Sequence, residues 1–503
     1  MKFQQKEMKH AISISVAGTV VLAVGAALAA ENTQAEQRLE RKAQNGCVTV
    51  DTSVEVGKIK VMHAVNNGPH IGKLDQYKSN EHSYKTARIP YARLHDAAFY
   101  WNWGGNHTVD IDGVFPDFDA DENDPKSYDF TFTDFYLKGI RKAGTEPFYR
   151  LGQKIEHGIK KYGILPPKDF AKWARICDHI VRHYNEGWAD GYHWNIKYWE
   201  IWNEPDLDWE REKSVKKGPN GLAIDPRTWG GSAEQFFDLY ETTAKLLKKN
   251  HPDIKVGGPA VAWNRKWAKM FLGEMKRRGV AMDFFSWHIY TRYPASLAWT
   301  ASEYRKLLDE CGYRESESIC NEWNYARDWQ SGFVQTLEYE TTMPGAAFVA
   351  GCLCAGQNSP VDMLMYYDAR PSCSMNGLWD AQTLQPIWGY YALTAWSKLY
   401  ADLGTQVKVS MAELNNKIHC VAAKNPETGK LGIFLVRYME PSDEEHWKGP
   451  IRVSVKLAKG SLAGCTCHLT DASHMGSEYV PEFNDDGSIT LWLMPQAFCF
   501  IEK

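Results

Sequence analysis

IKYWEIWNEPD, Ile196 to Asp206, is an apolar, aromatic run that ends on a carboxylate wedged between an asparagine and a proline. Its first eight residues have the β-branched and aromatic content of a buried strand. Pro205 carries no amide hydrogen and bars the ladder from continuing, so Glu204 stands at a strand's carboxyl end. The run is the fourth of eight. The others are IKVMHAV from Ile59, IPYARLH from Ile89, EPFYRLG from Glu146, IKVGGPA from Ile254, DFFSWHIY from Asp283, SICNEWN from Ser318 and VDMLMYYDA from Val361.

Helical patterns separate these runs. Ser232 and Gln235 form a capping box ahead of Ala233 to Lys249, and NHP at Asn250 to Pro252 ends that helix. In PKDFAKWARICDHIVRHY, Phe170, Trp173, Ile176, Cys177 and Ile180 share one face. Strand and helix alternating eight times over roughly three hundred residues predict an α/β fold, a (β/α)₈ TIM barrel spanning 58–400. Beyond Tyr400 the helical period stops. KIHCVAAKN, LGIFLVRYM, IRVSVKLA and ITLWLMP, broken by Gly, Pro, Asn and Asp, predict an accessory β-sandwich over 401–503. CVTVDTSV, within 30–57, has no partner near it and is expected to pair with that sandwich. Residues 1–29 read as a signal peptide: Lys2, Lys6 and Lys9 precede an apolar run ending in the small-x-small pattern Ala27-Leu28-Ala29. Its alanines, glycines and serines make a weak membrane anchor, so the expectation is cleavage and a periplasmic or secreted product with no membrane association afterwards.

The chain has 503 residues, 44% of them hydrophobic and 24% charged, with 58 basic against 62 acidic side chains and a net charge of -4. No basic footprint for a phosphate backbone exists, which excludes nucleic acid as a partner. The 20 tryptophans and 25 tyrosines suit sugar rings and large cores alike. The 11 cysteines include no paired CxxC units, and CTCH at Cys465 to His468 reads as strand alternation. His179 and His183 in HIVRH lack the acid of an HExxH site and read as helix surface. Asp117, Asp119 and Asp121 lack the remaining ligands of a calcium loop and read as a solvated acidic loop shaping the mouth of the barrel. No metal and no cofactor is expected, and the oligomeric state leaves no mark in the sequence.

The active site of such a barrel lies at the carboxyl ends of its strands. Glu204 ends the fourth and Glu322 the seventh, each preceded by an asparagine, Asn203 and Asn321. Two carboxylates across a barrel mouth are what glycosidic bond cleavage requires, one to protonate the leaving oxygen and one to act at the anomeric carbon. His95, His288 and Tyr290 come from the same strand ends as candidates to bind hydroxyls or orient the glutamates; for the histidines a satisfied place in the core is an equal reading. Trp101, Trp103 and Trp379 are candidates to stack on sugar rings or to lie as lids over the core. Arg93 is read as the buried cation that Glu200, on the strand face of Glu204, requires.

YWEIWNEPD, together with VNNGP after strand one, ARLHD on strand two, WHIY on strand six and CNEWN on strand seven, resembles glycoside hydrolase family 39 of clan A. The resemblance covers Lys58 to about Tyr400. It implies a (β/α)₈ barrel with an accessory β-sandwich, Glu204 as acid/base and Glu322 as nucleophile of a retaining double displacement. A carbohydrate is the implied partner. The resulting expectation is an exo-acting, β-xylosidase-like or arabinose-related glycosidase. Three alternatives stay open: an α-L-iduronidase-like enzyme, an endo-acting glycanase of the clan, and a carbohydrate-binding protein without catalysis.

Overall fold

The computed structural model describes residues 45–70, 79–95, 108–158, 161–209, 226–414, 417–442 and 449–503. The signal-peptide reading, Trp101 and Trp103 lie outside these residues. Strand β1 (Asn45–Lys58) leads into eight parallel strands: β2 (Val61–Asn66), β3 (Tyr91–Arg93), β4 (Glu146–Leu151), β5 (Tyr198–Ile201), β6 (Lys255–Val261), β7 (Phe284–Thr291), β8 (Glu317–Tyr325) and β9 (Met363–Tyr366). They close as a barrel in chain order, β9 pairing back onto β2. All eight expected runs are present in place.

Alternation along the strands sorts the side chains. Ala64, Phe148, Tyr198, Phe284, Ile319, Met363 and Met365 pack together inside the barrel, while Val65, Tyr149, Trp199, Phe285 and Cys320 face the surrounding helices. Nearer the carboxyl ends the inward positions turn polar, and Arg93, Arg150, Glu200, Ser286, His288 and Asn321 are all buried there. The apolar plug is therefore the floor of a polar chamber.

The helices carry the caps that the sequence announces. Ser232 and Gln235 form a reciprocal capping box at the start of Ala233–Asn250, and Asp169 accepts from the Lys172 amide at the start of Phe170–Glu186. One reading of that second helix is corrected. His179 and His183 are buried rather than on the helix surface. His183 stacks on Phe130 at 3.6 Å between ring centroids and places Nε2 3.0 Å from Asp134. The polar pattern of HIVRH is satisfied inward because the helix Thr131–Lys142 supplies a carboxylate to meet it.

Strands β10 (Thr405–Ala412), β11 (Ile418–Lys424), β12 (Leu431–Arg437), β13 (Ile451–Leu457), β14 (Thr466–Thr470), β15 (Met475–Tyr479), β16 (Glu482–Phe483), β17 (Ile489–Leu493) and β18 (Phe498–Glu502) form the second unit. With β1 they make one ladder of ten strands, β1 lying between β10 and β13. β12 is buried along its whole length. One of its faces, with Phe434 and Val436, joins Val421, Phe498 and Phe500 against the barrel's core. The other, with Ile433 and Leu435, shares a second core with Val48 and Val50 of β1 and Val453 and Val455 of β13. The ladder thus folds back on itself as the expected sandwich, with one layer docked on the barrel. Each large side chain in that docked layer contributes about 1.5–3 kcal/mol by leaving water. Tyr438 adds a hydrogen bond to the Arg292 carbonyl at 2.6 Å. Among the described residues no helix is long and apolar enough to cross a membrane.

Candidate active site

Glu204 is placed by a backbone that leaves its strand abruptly. The Trp202 amide makes a last bond to the Leu151 carbonyl at 2.7 Å. Trp202 and Glu204 then adopt φ of 74° and 51°. Left-handed backbone costs a non-glycine residue about 1–2 kcal/mol, so the surroundings must hold it. Several contacts do so. The Glu204 amide donates to the Ala260 carbonyl at 3.0 Å, and the Thr228 hydroxyl donates to the Glu204 carbonyl at 2.8 Å. Gly152, itself at φ +141°, lies so close below that a Cβ there would meet the Trp202 Cα at 3.1 Å. Two residues on, the buried Asp206 carboxylate accepts the amides of Ala262, Trp263 and Asn264 at 2.8, 3.1 and 2.9 Å. Burial pushes its carboxyl up to about 6 even so.

Glu322 reaches the chamber through an irregularity in β8. Ile319 and Asn321 face the barrel interior and Cys320 faces outward, so strict alternation would send Glu322 outward as well. The register shifts there, Trp287 pairing with Cys320 and His288 with Glu322. This bulge lets consecutive residues point inward together. Asn321 Nδ2 donates to Glu200, and Glu322 accepts from the Tyr290 hydroxyl at 2.8 Å.

Arg93 ties the two glutamate loops together. Its Nε donates to Glu200 at 2.6 Å, Nη1 to Glu322 at 2.7 Å and Asn66 at 3.1 Å, and Nη2 to the Asn203 side-chain oxygen at 2.7 Å. The expected Glu200 partner is therefore Arg93, but the same guanidinium also holds Glu322, a contact that the sequence reading missed. Glu200 is completed by the Ser286 hydroxyl at 2.6 Å. Arg93 orients the Asn203 amide so that Nδ2, buried and without a protein partner, faces away as a donor for a bound hydroxyl.

His288 lies between the carboxylates, with Nδ1 2.8 Å from Glu204 Oε1 and 3.5 Å from Glu322 Oε2. One oxygen of each glutamate and a ring nitrogen of His288 all lie within 4.8 Å of one another. Burial pushes the imidazole down to about 4, so it is neutral at neutral pH. The contact between Nδ1 and Glu204 then carries a single proton, held by one side or the other. Burial and the neighbouring Glu204 push the Glu322 carboxyl up, opposed by the charge of Arg93 and the Tyr290 hydroxyl. Glu204, His288 and Glu322 have the donor types of a cation site. The fixed charge of Arg93 on the same carboxylate weighs against a second positive charge there. The arrangement sets two carboxyls face to face, one hydrogen-bonded to His288 and the other to Arg93 and Tyr290, with one oxygen of each within 4.8 Å of the other.

The remaining candidates divide. His95 is buried with Nε2 3.6 Å from Glu322, inside the chamber. Tyr290 joins it through the hydroxyl. Trp379 does not: it is buried, stacks on Tyr84 at 5.1 Å and 9°, and packs against Tyr390, leaving no face for a sugar. The expected stacking role is replaced by a place in the core. Two groups near the chamber escaped the sequence reading. Asn67 donates to Asp368 at 3.0 Å, joining the ends of β2 and β9. Trp329, 57% exposed, stands edge-on to Tyr290 at 5.0 Å.

Residues 107–364 match the family model described as glycosyl hydrolases family 39. The chain is 28% identical over 186 residues to a β-xylosidase of Caldicellulosiruptor saccharolyticus, covering 35% of this chain and 33% of that protein. The match thus spans about a third of that relative's length. Among solved structures, a glucosidase from Croceicoccus marinus superposes with a TM-score of 0.70 at 20% identity, over 92% of this chain and 98% of that one. A family 39 β-xylosidase from Caulobacter crescentus gives 0.60 at 18%, over 91% and 99%. At these identities the two superpositions bear on the fold.

Proposed function

The chain belongs to glycosyl hydrolases family 39, and from that premise we propose that it is a retaining glycoside hydrolase with β-xylosidase-like or arabinose-related activity on glycan chain ends. The supporting observation is the spacing of the carboxylates. One oxygen of Glu204 lies within 4.8 Å of one of Glu322, an approach that suits the roughly 5–5.5 Å between the carboxyls of retaining pairs better than the roughly 6.5–9.5 Å that an inverting enzyme needs to seat a water.

In this reading Glu204 gives its proton to the leaving oxygen as Glu322 attacks the anomeric carbon and the glycosidic bond breaks. The sugar is then bonded to Glu322. Glu204, now ionised, takes a proton from water, which attacks the same carbon and releases the sugar and the Glu322 carboxylate. Tyr290 and Arg93 orient the attacking oxygens, and neutral His288 shares the Glu204 proton at 2.8 Å. The similarity to the β-xylosidase of Caldicellulosiruptor saccharolyticus supports the choice of sugar. Export after cleavage near Ala29 belongs to the same proposal, and N-terminal sequencing of mature protein from the periplasm or medium tests it.

The catalytic test is Glu322→Ala on a panel of aryl glycosides. Turnover should fall by more than about a thousandfold and be partly restored by azide, which attacks in place of the carboxylate and yields a glycosyl azide. Wild-type protein that hydrolyses no member of the panel would overturn the assignment.

A further inference from the structure

Two tryptophans in the segments that follow β6 and β7 are exposed for no reason the core supplies. Trp263, which follows β6, is 65% exposed, yet its backbone amide is held by Asp206 at 3.1 Å. Trp299, in the helix Pro294–Glu310 that follows β7, is 54% exposed and has the Arg265 guanidinium over its ring at 4.5 Å. Arg265 lies two residues from Trp263 in the chain, which ties the two indoles to one stretch of surface. Beyond the Arg265 contact of Trp299, large rings kept in water on a fixed backbone cost solvation and return little to folding, which suits a surface made for contact.

Location identifies the side of the substrate that this surface meets. The Ala260 carbonyl binds the Glu204 amide, and Trp263 is three residues beyond it, within about 11 Å of chain. The acid that protonates the leaving oxygen faces the leaving group, so the loop it anchors borders the leaving-group side. Charge narrows the ligand further. Arg265, Lys266 and Lys269 are exposed on the first turns of the helix Arg265–Arg277, which has no carboxylate before Glu274. The facing Glu303 takes one Arg265 nitrogen at 3.3 Å, and Lys266 lies over the Trp209 ring at 5.3 Å. Among the described residues, Arg265 and Lys269 against Glu303 leave a positive surplus.

We infer that Trp263, Arg265 and Trp299 form a binding surface for the continuing glycan chain on the leaving-group side, one that favours chains bearing uronate carboxylates. The rings stack on pyranose faces, and the cations meet the carboxylates. This inference rests on the glycosidase reading of Glu204 and Glu322.

The test is affinity electrophoresis in the non-hydrolysing Glu322→Ala background, through gels containing glucuronoxylan, neutral arabinoxylan or no polymer. Glucuronoxylan should retard Glu322→Ala more than arabinoxylan does, and adding Trp263→Ala with Trp299→Ala should weaken the apparent affinity about tenfold. Trp263→Phe with Trp299→Phe, which keeps a stacking ring, should retain most of the retardation and shows that a loss in the alanine pair is not misfolding. Absence of retardation, or retardation that survives the alanine pair, overturns the surface. Equal retardation by the neutral polymer overturns the acidic ligand. Aryl glycoside turnover by wild type separates the two proposals: turnover without tryptophan-dependent retardation sinks this inference alone, whereas tryptophan-dependent retardation without turnover sinks the catalytic reading and leaves a glycan-binding surface.

Discussion

Glu340, the last residue of the helix Phe333–Glu340, is 2% exposed and neither of its carboxyl oxygens has a hydrogen-bond partner. Burial alone pushes its pKa well above the carboxylate range. The folded state therefore binds a proton that the unfolded chain releases near pH 4.3, and stability falls as pH rises from there towards the folded pKa. The slope is about 1.4 kcal/mol per pH unit, so the group costs about 3.7 kcal/mol at pH 7 wherever the folded carboxyl is still protonated. Glu340→Gln keeps the shape of the protonated acid and removes the linkage. Urea unfolding followed by tryptophan fluorescence at pH 5, 6, 7 and 8 should show the variant gaining on wild type as pH rises towards the folded pKa, by up to about 1.4 kcal/mol per unit. A difference that does not change with pH, or a variant less stable than wild type at pH 7, would refute the reasoning, because an ionised Glu340 must then find a partner that these contacts lack.

Arg93→Lys keeps the charge but not the fork, and with three donors in place of the guanidinium's five at least one of the four bonds to Glu200, Glu322, Asn66 and Asn203 must go while the others lose their geometry; we expect a loss of about 3 kcal/mol in urea unfolding and at least about a hundredfold in kcat/KM. Stability and turnover within twofold of wild type would show that Arg93 is not the tie between the glutamate loops. Tyr290→Phe removes a donor that lowers the Glu322 pKa, so the acidic limb of the pH profile should move to higher pH as kcat/KM falls about tenfold or more; an unmoved limb argues against the contact. Gly152→Ala places a methyl against the Trp202 backbone in a conformation with φ +141°, and should cost about 2 kcal/mol and lower kcat more than KM. Activity retained in full would show that the Glu204 loop tolerates displacement.

The barrel was legible because each strand is a compact β-rich run with a breaker after it, and Glu204 was legible because Pro205 marks where the fourth run ends. β1 was assigned to the sandwich by elimination, since Val48 and Val50 had nothing near them in sequence to pair with. Periodicity carries no register, however, and the shift that turns Glu322 inward beside Asn321 leaves no trace in CNEWN. The residues that cover a side chain from afar are equally silent. Trp379 sits in a polar, turn-rich segment, and only folding brings Tyr84 across its face. His183 looks solvated until Phe130 and Asp134 arrive from another helix. Arg93 could be matched to Glu200 on charge alone, but its second bond, to Glu322, depends on three strands meeting at one height.

The position of β1 between β10 and β13 also sets a schedule for biogenesis. A ribosome completes Asn45–Lys58 first and reaches Thr405 only after the whole barrel, an interval of some tens of seconds at about 5–20 residues per second. Throughout that time both edges of an alternating strand lack their neighbours, a state open to mispairing with other nascent chains. The two termini of the described fold are thus clasped last, and the long-range closure, rather than the locally wound βα units, sets the contact order on which the pace of maturation depends.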